Sequence, residues 1–257
     1  MKEENKETIR KNFSQCAPYY DRYSSVQNLC AEGLIERIRG NNFANILEIG
    51  CGTGNYTQLL TGHFPRARIK AVDISPEMIK IAQQKFPPPN VDFIAGDGEK
   101  IDFPDSFDLI SSNASFQWFA DLPGTLLKYR GLLADRGRIA FSLFGPATFG
   151  ELNESLRVFF SGEMSIAAYS FTSGQGIKKI LRNIYQDTAV ETKIFRERFD
   201  SIRQLLMKIK YTGTRGNGLA QRRLWTAAAL RGLEHIYRKQ FKEIIATYEV
   251  FFCRGVK

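Results

Sequence analysis

Apolar residues recur along this chain in two distinct periods, one typical of strands and one typical of helices. From about residue 44, short runs rich in branched and aromatic residues alternate with longer stretches of helical periodicity. The short runs predict strands at 44–49, 68–74, 91–96, 107–112, 137–144, 188–199 and 244–253. The longer stretches predict helices at 54–62, 76–85, 121–134, 201–210 and 220–242. Regular alternation of this kind favours an α/β fold whose seven-stranded, mostly parallel sheet has helices on both faces.

Two further helical stretches lie outside this alternation. Residues 1–40 predict two helices separated near Pro18, which would form an N-terminal helical cap. Residues 145–187 predict a helical insertion before the last strands, and we expect it to act as a substrate lid. No linker separates these parts, so residues 1–257 are predicted to form a single domain.

The first predicted strand runs directly into three alternating glycines, with the sequence ILEIGCGTG over residues 46–54. Alternating glycines let the backbone turn sharply and let a ligand lie against the main chain. The helix that follows puts them at the strand-to-helix switch where open parallel sheets bind ligands. The spacing differs from the G-x-G-x-x-G of dinucleotide-binding proteins. The residues expected to contact the ligand here are Gly50, Cys51, Gly52 and Gly54.

Carboxylates follow the ends of neighbouring predicted strands. Asp73 ends the second strand, where an acid can accept hydrogen bonds from ribose hydroxyls, and Ile74 offers an apolar face to a base. Asp97, followed by Gly98, ends the third strand and is placed to accept an adenine amino group. Glu48 adds a negative charge near the other end of the ligand. Three acids repel a pyrophosphate and suit a cationic nucleoside.

S-adenosylmethionine is such a ligand, because it carries a sulfonium, an ammonium, a ribose and an adenine but no phosphate. The glycine spacing and the acids together predict the Rossmann-like fold of a class I methyltransferase. Asn113, at the end of the fourth strand, is expected to line the cofactor pocket. The aromatic run 115–119 would form a wall for cofactor and substrate, and Tyr20 would close over the methyl group.

Composition and charge restrict the partners and the compartment. The 257 residues carry a formal net charge of +9, and the basic excess is concentrated between Lys193 and Lys239. Such a surface attracts an acidic protein, a nucleic acid or an anionic substrate. Four cysteines without C-x-x-C spacing and only two histidines argue against a metal site. No apolar run approaches the ~20 residues of a membrane span, and the charged N-terminus leads into no signal region, so we expect a cytoplasmic protein with free thiols.

Several motifs resemble those of the malonyl-[acyl-carrier protein] O-methyltransferases of biotin synthesis, the BioC family. The matching stretches are 13–23, 47–54, 112–118, 144–152, 210–216 and 246–252. The resemblance implies an enzyme that transfers the methyl group of S-adenosylmethionine to the free carboxylate of a malonyl thioester, which begins pimeloyl synthesis. It also implies an acidic acyl carrier protein as partner, and we expect a monomer that binds neither nucleic acid nor membrane.

This reaction makes the scarcity of histidine understandable. A carboxylic acid titrates near ~4, so the acceptor is already ionised at neutral pH and needs no catalytic base. Its carboxylate needs a cationic or hydrogen-bonding anchor. The residues predicted to act at the acceptor are Tyr20, Asn113, Gln117, Trp118 and Arg215. The residues predicted to include the carrier-docking site are Arg196, Arg198, Arg203, Lys208, Arg222 and Arg223.

Three other functions remain open at this point. One is a methyltransferase acting on a free small carboxylic acid such as trans-aconitate, whose relatives share the SNASFQW stretch at 112–118 loosely. A nucleic-acid methyltransferase is suggested by the basic charge, but the fourth strand lacks the Asn/Asp-Pro-Pro-aromatic signature of amino-group methylation. The third is a non-catalytic protein that binds S-adenosylmethionine.

Overall fold

A seven-stranded sheet of order β3-β2-β1-β4-β5-β7-β6 forms the centre of the protein, as seen in a computed structural model. The structure describes residues 3–85, 88–162, 166–212 and 226–257. The strands are β1 (Asn45–Ile49), β2 (Arg68–Asp73), β3 (Val91–Ala95), β4 (Phe107–Asn113), β5 (Leu133–Phe144), β6 (Gln186–Phe199) and β7 (Ile244–Val256).

Helices precede the sheet and connect its strands. They are α1 (Glu3–Cys16), α2 (Tyr20–Tyr23), α3 (Ser25–Ile38), α4 (Asn55–His63), α5 (Pro76–Lys85), α6 (Leu122–Leu132), α7 (Gly150–Phe159), α8 (Gly174–Ile184), α9 (Ile202–Tyr211) and α10 (Ala227–Phe241). Short 3-10 helices lie at Ala17–Tyr19, Phe116–Trp118 and Ala167–Ser170. Within the described ranges, no helix combines the length and the apolar character needed to cross a membrane.

Strand direction confirms the mostly parallel sheet. Strands β1 to β5 are parallel, whereas β7 is antiparallel to both of its neighbours, β5 and β6. The chain moves outward from β1 through β2 to β3 and then returns to place β4 on the other side of β1. Such a reversal opens a crevice at the carboxyl ends of β1 and β4, which is where open α/β sheets bind ligands.

The predicted boundary between the sixth helix and the fifth strand was wrong by several residues. Helix α6 ends at Leu132 and β5 begins at Leu133, whereas the pattern predicted a helix to 134 and a strand from 137. Leu133 is buried and pairs with Phe107 before a bulge shifts the register of β4 against β5. Helix α10 begins at Ala227 in the described part of the chain, and the predicted start at 220 lies outside it.

The stretch predicted as an N-terminal cap divides into two parts. Helix α3 belongs to the core, because Val26, Cys30 and Leu34 are fully buried in the same apolar cluster as Ile46 of β1. Helix α1 instead packs against α5. Its Phe13 contacts the small cluster around Met78.

The predicted insertion at 145–187 also consists of two parts that pack in different places. Helix α8 covers the sheet, because Ile177 and Leu181 are buried in the apolar cluster that contains Leu126 and Phe141. Helix α7 packs against α10 and β7. That residues 145–187 act as a substrate lid stays a prediction.

The apolar core has two large clusters, and each contains side chains from strands of the sheet together with helical residues. All four cysteines are buried free thiols, as predicted: Cys16, Cys30, Cys51 and Cys253. No group of His, Cys, Asp and Glu side chains in the described residues is placed to hold a metal ion.

Candidate active site

A cavity opens at the carboxyl ends of β1, β2, β3 and β4, and together with the solvent-filled space at its mouth it measures about 690 Å³. It occupies the crevice created by the reversal of strand order. Nine residues that the sequence predicted for the site line it, namely Tyr20, Gly50, Gly52, Asp73, Ile74, Asp97, Gly98, Asn113 and Trp118. The topology thus brings together residues from the N-terminal segment and from four strand ends.

The glycine turn forms one wall of this cavity because its backbone takes a conformation that side chains oppose. Gly50, Gly52 and Gly54 have φ angles of 74°, 57° and 85°, all in the left-handed region. A Cβ atom on Gly50 would lie 2.2 Å from the Oγ of Ser115. The bare backbone is therefore what allows a ligand and the loop after β4 to approach the turn together.

Asp73 is half-buried at the end of β2 and is fixed by the backbone around it. Its Oδ2 accepts the N–H of Gly52 at 2.9 Å, and its Oδ1 accepts the N–H of Ser75 at 2.8 Å. Burial raises the pKa of Asp73 to about 6, although these two N–H donors oppose the rise. The carboxylate is thus mostly ionised at neutral pH and held in one orientation, as an acceptor for two hydroxyls must be.

Three residues predicted for cofactor binding do not line the cavity: Glu48, Cys51 and Gly54. Glu48 lies beneath the turn with 1% exposure, and neither of its carboxyl oxygens makes a hydrogen bond to another described residue. Burial, with the nearby charge of Asp73, raises the pKa of Glu48 to about 8. Glu48 is therefore mostly protonated at neutral pH, unlike the anion that the sequence suggested.

Helix α1 supplies residues that the sequence reasoning missed. Lys6, Ile9 and Phe13 line the cavity, and their spacing of three and four places them on one face of the helix. Lys6 Nζ contacts Asp97 Oδ1 at 2.5 Å and also pairs with Glu99. The spacing of these three residues was the available signal, but nothing in it showed which surface the helix covers. Met78 is another lining residue that was missed, whereas Ser115 and Phe119 belong to the run 115–119 that was predicted as a wall.

The ion pair with Lys6 occupies one carboxylate oxygen of Asp97. Its Oδ1 also accepts the N–H of Glu99 at 3.0 Å, whereas its Oδ2 makes no hydrogen bond to any described residue. Oδ1 is thus engaged by the protein, while the residue as a whole lines the cavity. Recognition of an adenine amino group by Asp97 stays a prediction, now restricted to Oδ2.

Asn113, Trp118 and Tyr20, which were predicted to act at the methyl acceptor, all line the cavity, and their role there stays a prediction. Asn113 Nδ2 donates to the carbonyl of Gln27 at 2.9 Å, and its Oδ1 accepts from Ser142 Oγ at 2.7 Å. Trp118 packs edge-on against Phe13 and Phe171, and its buried Nε1–H has no partner in the part of the chain that the structure describes. Burial, with the nearby Cys16 and Asp73, raises the pKa of Tyr20 well above its usual value, so its hydroxyl stays protonated.

The segment that carries Tyr20 is tied to the glycine turn. Asp21, the next residue, accepts the Thr53 hydroxyl at 2.5 Å and the side-chain N–H of Asn55 at 3.1 Å. Lys85 pairs with the same carboxylate at 2.7 Å. These contacts place helix α2 over the turn.

Some predicted positions fall elsewhere. Gln117 is buried and does not line the cavity, and its Nε2 donates to the carbonyl of Ala114 at 2.7 Å. Arg215 lies outside the described residues, as do Arg222 and Arg223. Both histidines are exposed on helices away from the cavity, His63 on α4 and His235 on α10.

The prediction that Lys208 belongs to an exposed docking surface was wrong. This lysine is only 6% exposed because its side chain turns inward against Glu197, whose carboxylate it contacts. Arg196, Arg198 and Arg203 are exposed, and Arg198 pairs with Glu243 at 3.2 Å.

Comparison with known proteins agrees with this geometry. The family described as "Methyltransferase domain" matches residues 47–141. The chain is 35% identical over 239 residues to malonyl-[acyl-carrier protein] O-methyltransferase 1 of Ilyobacter polytropus, covering 92% of this chain and 88% of that protein. It is 34% identical over 269 residues to malonyl-[acyl-carrier protein] O-methyltransferase of Acetivibrio thermocellus, covering 98% and 94%.

A solved structure shows the same fold. The N-methyltransferase NodS from Bradyrhizobium japonicum, in complex with S-adenosylhomocysteine, matches with a TM-score of 0.54 at 13% identity, covering 97% of this chain and 98% of that one. The strand order, the antiparallel β7 and the glycine-lined cavity define a class I methyltransferase that uses S-adenosylmethionine. With relatives similar over nearly its whole length, the chain belongs to the family of the malonyl-[acyl-carrier protein] O-methyltransferases.

We expect Asp73→Ala to lower the affinity for S-adenosylhomocysteine by about 30-fold, since hydrogen bonds to a charged group contribute roughly 1.5–3 kcal/mol. The variant also loses the acceptor that holds the N–H of Gly52. Isothermal titration measures the change, and Asp73→Asn, which keeps one acceptor oxygen, should lose less. Asp92→Ala, on the exposed side of β3, is the control. An unchanged affinity in Asp73→Ala would contradict this role.

Proposed function

We propose that this protein methylates the free carboxylate of a malonyl thioester carried by an acyl carrier protein, as the first step of pimeloyl synthesis for biotin. S-adenosylmethionine, when bound, supplies a methyl group made electrophilic by the sulfonium. A carboxylate oxygen forms the new O–CH₃ bond as the C–S bond breaks, and the electron pair of that bond stays on sulfur. The products are a methyl ester and a neutral thioether, and no proton is released.

The observation that carries the proposal is the family membership of nearly the whole chain, together with a cavity whose described lining residues offer no general base at the predicted acceptor end. The carboxylates that line the cavity are Asp73 and Asp97, both at the nucleoside end near β2 and β3. Neither histidine lines it. An acceptor that needs deprotonation, such as an amine or an alcohol, finds no base among these described lining residues, whereas a carboxylate arrives ionised.

Catalysis would then rest on proximity and alignment, which can supply roughly 7–11 kcal/mol of the barrier. The fixed side chain of Asn113 and the rings of Tyr20 and Trp118 line the cavity and would surround the two reactants. The protonated Tyr20 hydroxyl can donate a hydrogen bond to a carboxylate but cannot act as a base at neutral pH.

The carrier would dock on the exposed basic surface near β6 and α9. Arg196 and Arg203 are exposed there, and acidic partners are attracted to such clusters through long-range charge. This part of the proposal excludes Lys208 for the reason given above.

We expect the purified protein to convert malonyl-loaded acyl carrier protein to its methyl ester faster than malonyl-CoA, and free malonate more slowly than either. Mass spectrometry of the carrier and of small-molecule esters measures the three rates. Ester from neither thioester would contradict the proposal. Faster methylation of free malonate than of both thioesters would identify a small-acid methyltransferase instead.

A further inference from the structure

Helix α1 lies along the cofactor cavity. Its Lys6, Ile9 and Phe13 all line that cavity, and the helix rises about 10 Å between the first and the last of them. Lys6 contacts Asp97, just beyond β3, whereas the ring of Phe13 meets Trp118 edge-on with centroids 6.2 Å apart. The helix therefore reaches from the predicted adenine end of the cavity to the predicted acceptor end.

The two halves of α1 are attached to the rest of the protein in different ways. The C-terminal half is held by apolar packing, since Phe13 and Cys16 belong to the small cluster around Met78. The hydroxyls of Ser14 and Ser75 also share a hydrogen bond of 3.0 Å. The N-terminal half is polar in sequence, and its Lys6 forms ion pairs with the loop after β3. Charge thus attaches one half of the helix, and apolar packing attaches the other.

The loop after β3 offers Lys6 two carboxylates that the backbone already holds in place. Asp97 Oδ1 accepts the N–H of Glu99 at 3.0 Å, and Glu99 accepts the N–H groups of Ala120 and Asp121 at 3.1 and 2.8 Å. Burial tends to raise the pKa of Glu99, but the Lys6 ammonium and these backbone donors outweigh it and hold that pKa below its ordinary value. Glu99 therefore stays ionised at neutral pH and is in place to receive the ammonium.

The three charged side chains are largely withdrawn from solvent. Their exposed fractions are 14% for Lys6, 18% for Asp97 and 10% for Glu99. Ion pairs in such places are screened less by salt than surface pairs, and loss of one partner leaves a poorly hydrated charge. These pairs therefore resist separation of α1 from the sheet. The pair Glu7–Arg10 lies within α1, is 63% and 40% exposed, and offers no such resistance.

We propose that Lys6 is the latch of helix α1: its ion pairs with Asp97 and Glu99 hold the N-terminal half of the helix against the cofactor cavity, and their rupture sets the rate of ligand exchange. A ligand that extends from Asp97 towards Trp118 lies beneath α1, so this half of the helix opens each time the cofactor enters or the product leaves. The inference concerns exchange and goes beyond the proposed function, because it holds whichever acid is methylated.

A latch changes the rates of binding more than the affinity. The ion pairs hold α1 in the same way with and without a ligand, so their loss enlarges the open fraction of the empty and of the loaded protein by the same factor. Association and dissociation then accelerate together, and the dissociation constant, which is the ratio of their rate constants, changes little. A residue that contacted the ligand directly would change the affinity, mostly through faster dissociation.

The test removes one charge of each sign, because loss of Lys6 alone would leave two unpaired carboxylates close together. In the double variant Lys6→Met with Glu99→Gln, we expect the association and dissociation rate constants for S-adenosylhomocysteine each to rise about 10-fold. The dissociation constant should stay within about 3-fold of the wild type. Stopped-flow tryptophan fluorescence measures both rate constants, since Trp118 lines the cavity.

The matched control is Glu7→Gln with Arg10→Met, which makes the same change of charge in an exposed pair on the same helix. It should leave both rate constants within about 2-fold of the wild type, and Lys6→Arg, which keeps the charge, within about 3-fold. Unchanged rate constants in Lys6→Met with Glu99→Gln would overturn the inference. A weaker affinity with an unchanged association rate constant would also overturn it, because Lys6 would then be a ligand-binding residue.

Amide hydrogen exchange observes the opening of α1 without any ligand. In the double variant, exchange at the amides of residues 7–10 should accelerate about 10-fold, while exchange in the buried helix α3 should not change. Wild-type exchange in α1 would contradict a latch even if the ligand kinetics changed. Lys6→Gln, which leaves Glu99 and its backbone contacts intact, is a second variant if the double variant does not fold, and each quantity should change in the same direction. None of these measurements uses a methyl acceptor, so their outcome is independent of the proposed function.

Discussion

Gly50→Ala is expected to lower the affinity for S-adenosylhomocysteine by about 100-fold, because left-handed strain and overpacking each cost about 1–3 kcal/mol. The φ of 74° disfavours a side chain, and the new Cβ would lie 2.2 Å from Ser115 Oγ. Either the turn or the loop after β4 has to move, and both line the cofactor cavity. Isothermal titration with the purified variant measures the loss.

Two further variants sharpen this prediction. Gly62→Ala adds the same methyl group at an exposed position of α4 with no neighbour within 4 Å, and it should bind with wild-type affinity. Ser115→Gly, added to Gly50→Ala, removes the steric clash but not the strained φ, and it should restore part of the affinity. Wild-type binding by Gly50→Ala alone would show that the turn does not contact the ligand.

Glu48→Gln is expected to be more stable than the wild type at pH 8, by about 4 kcal/mol. Burial raises the pKa of Glu48 from its ordinary 4.5 to about 8, so the folded protein keeps a proton that the unfolded chain releases. Wild-type stability should therefore decrease as the pH rises from about 4.5 to about 8 and level off above that. Glutamine has no proton to lose, so this decrease disappears.

Urea unfolding of both proteins at pH 5 and pH 8 tests the prediction. Other titrating groups contribute equally to both proteins, so the difference between them reports Glu48. Glu32→Gln, on the exposed face of α3, is the control and should retain the wild-type pH dependence. An identical pH dependence for Glu48→Gln and the wild type would show that Glu48 is ionised in the fold and has a partner there.

Most strands of the sheet, and the residues of the cofactor site that lie at strand ends, were predictable from local sequence patterns. The alternation of apolar strands and helices gave seven strands at nearly their observed positions. The glycines, Asp73 and Asn113 follow strand ends directly, and parallel strands bring their carboxyl ends to one edge. A residue adjacent to such a strand end is positioned by the strand itself.

Contacts between distant segments were not predictable in this way. Lys6 meets Asp97 across 91 positions of sequence, and Lys208 meets Ser25 across 183. Helical periodicity shows that a helix has an apolar face but not which surface that face covers. The positive charge of Lys208 suggested that its side chain is exposed to solvent. Only the packing of α9 shows that this side chain points inward.

The sequence by itself determined the class of fold, the cofactor and the family, because these depend on short motifs whose geometry is local to one turn and on residues shared with relatives. The tertiary structure decided the protonation of Glu48, the contribution of α1 to the lining of the cavity and the inward position of Lys208 against Glu197. Those properties depend on burial and on charges contributed by other elements. They arise only when the chain excludes water from groups that are far apart in sequence.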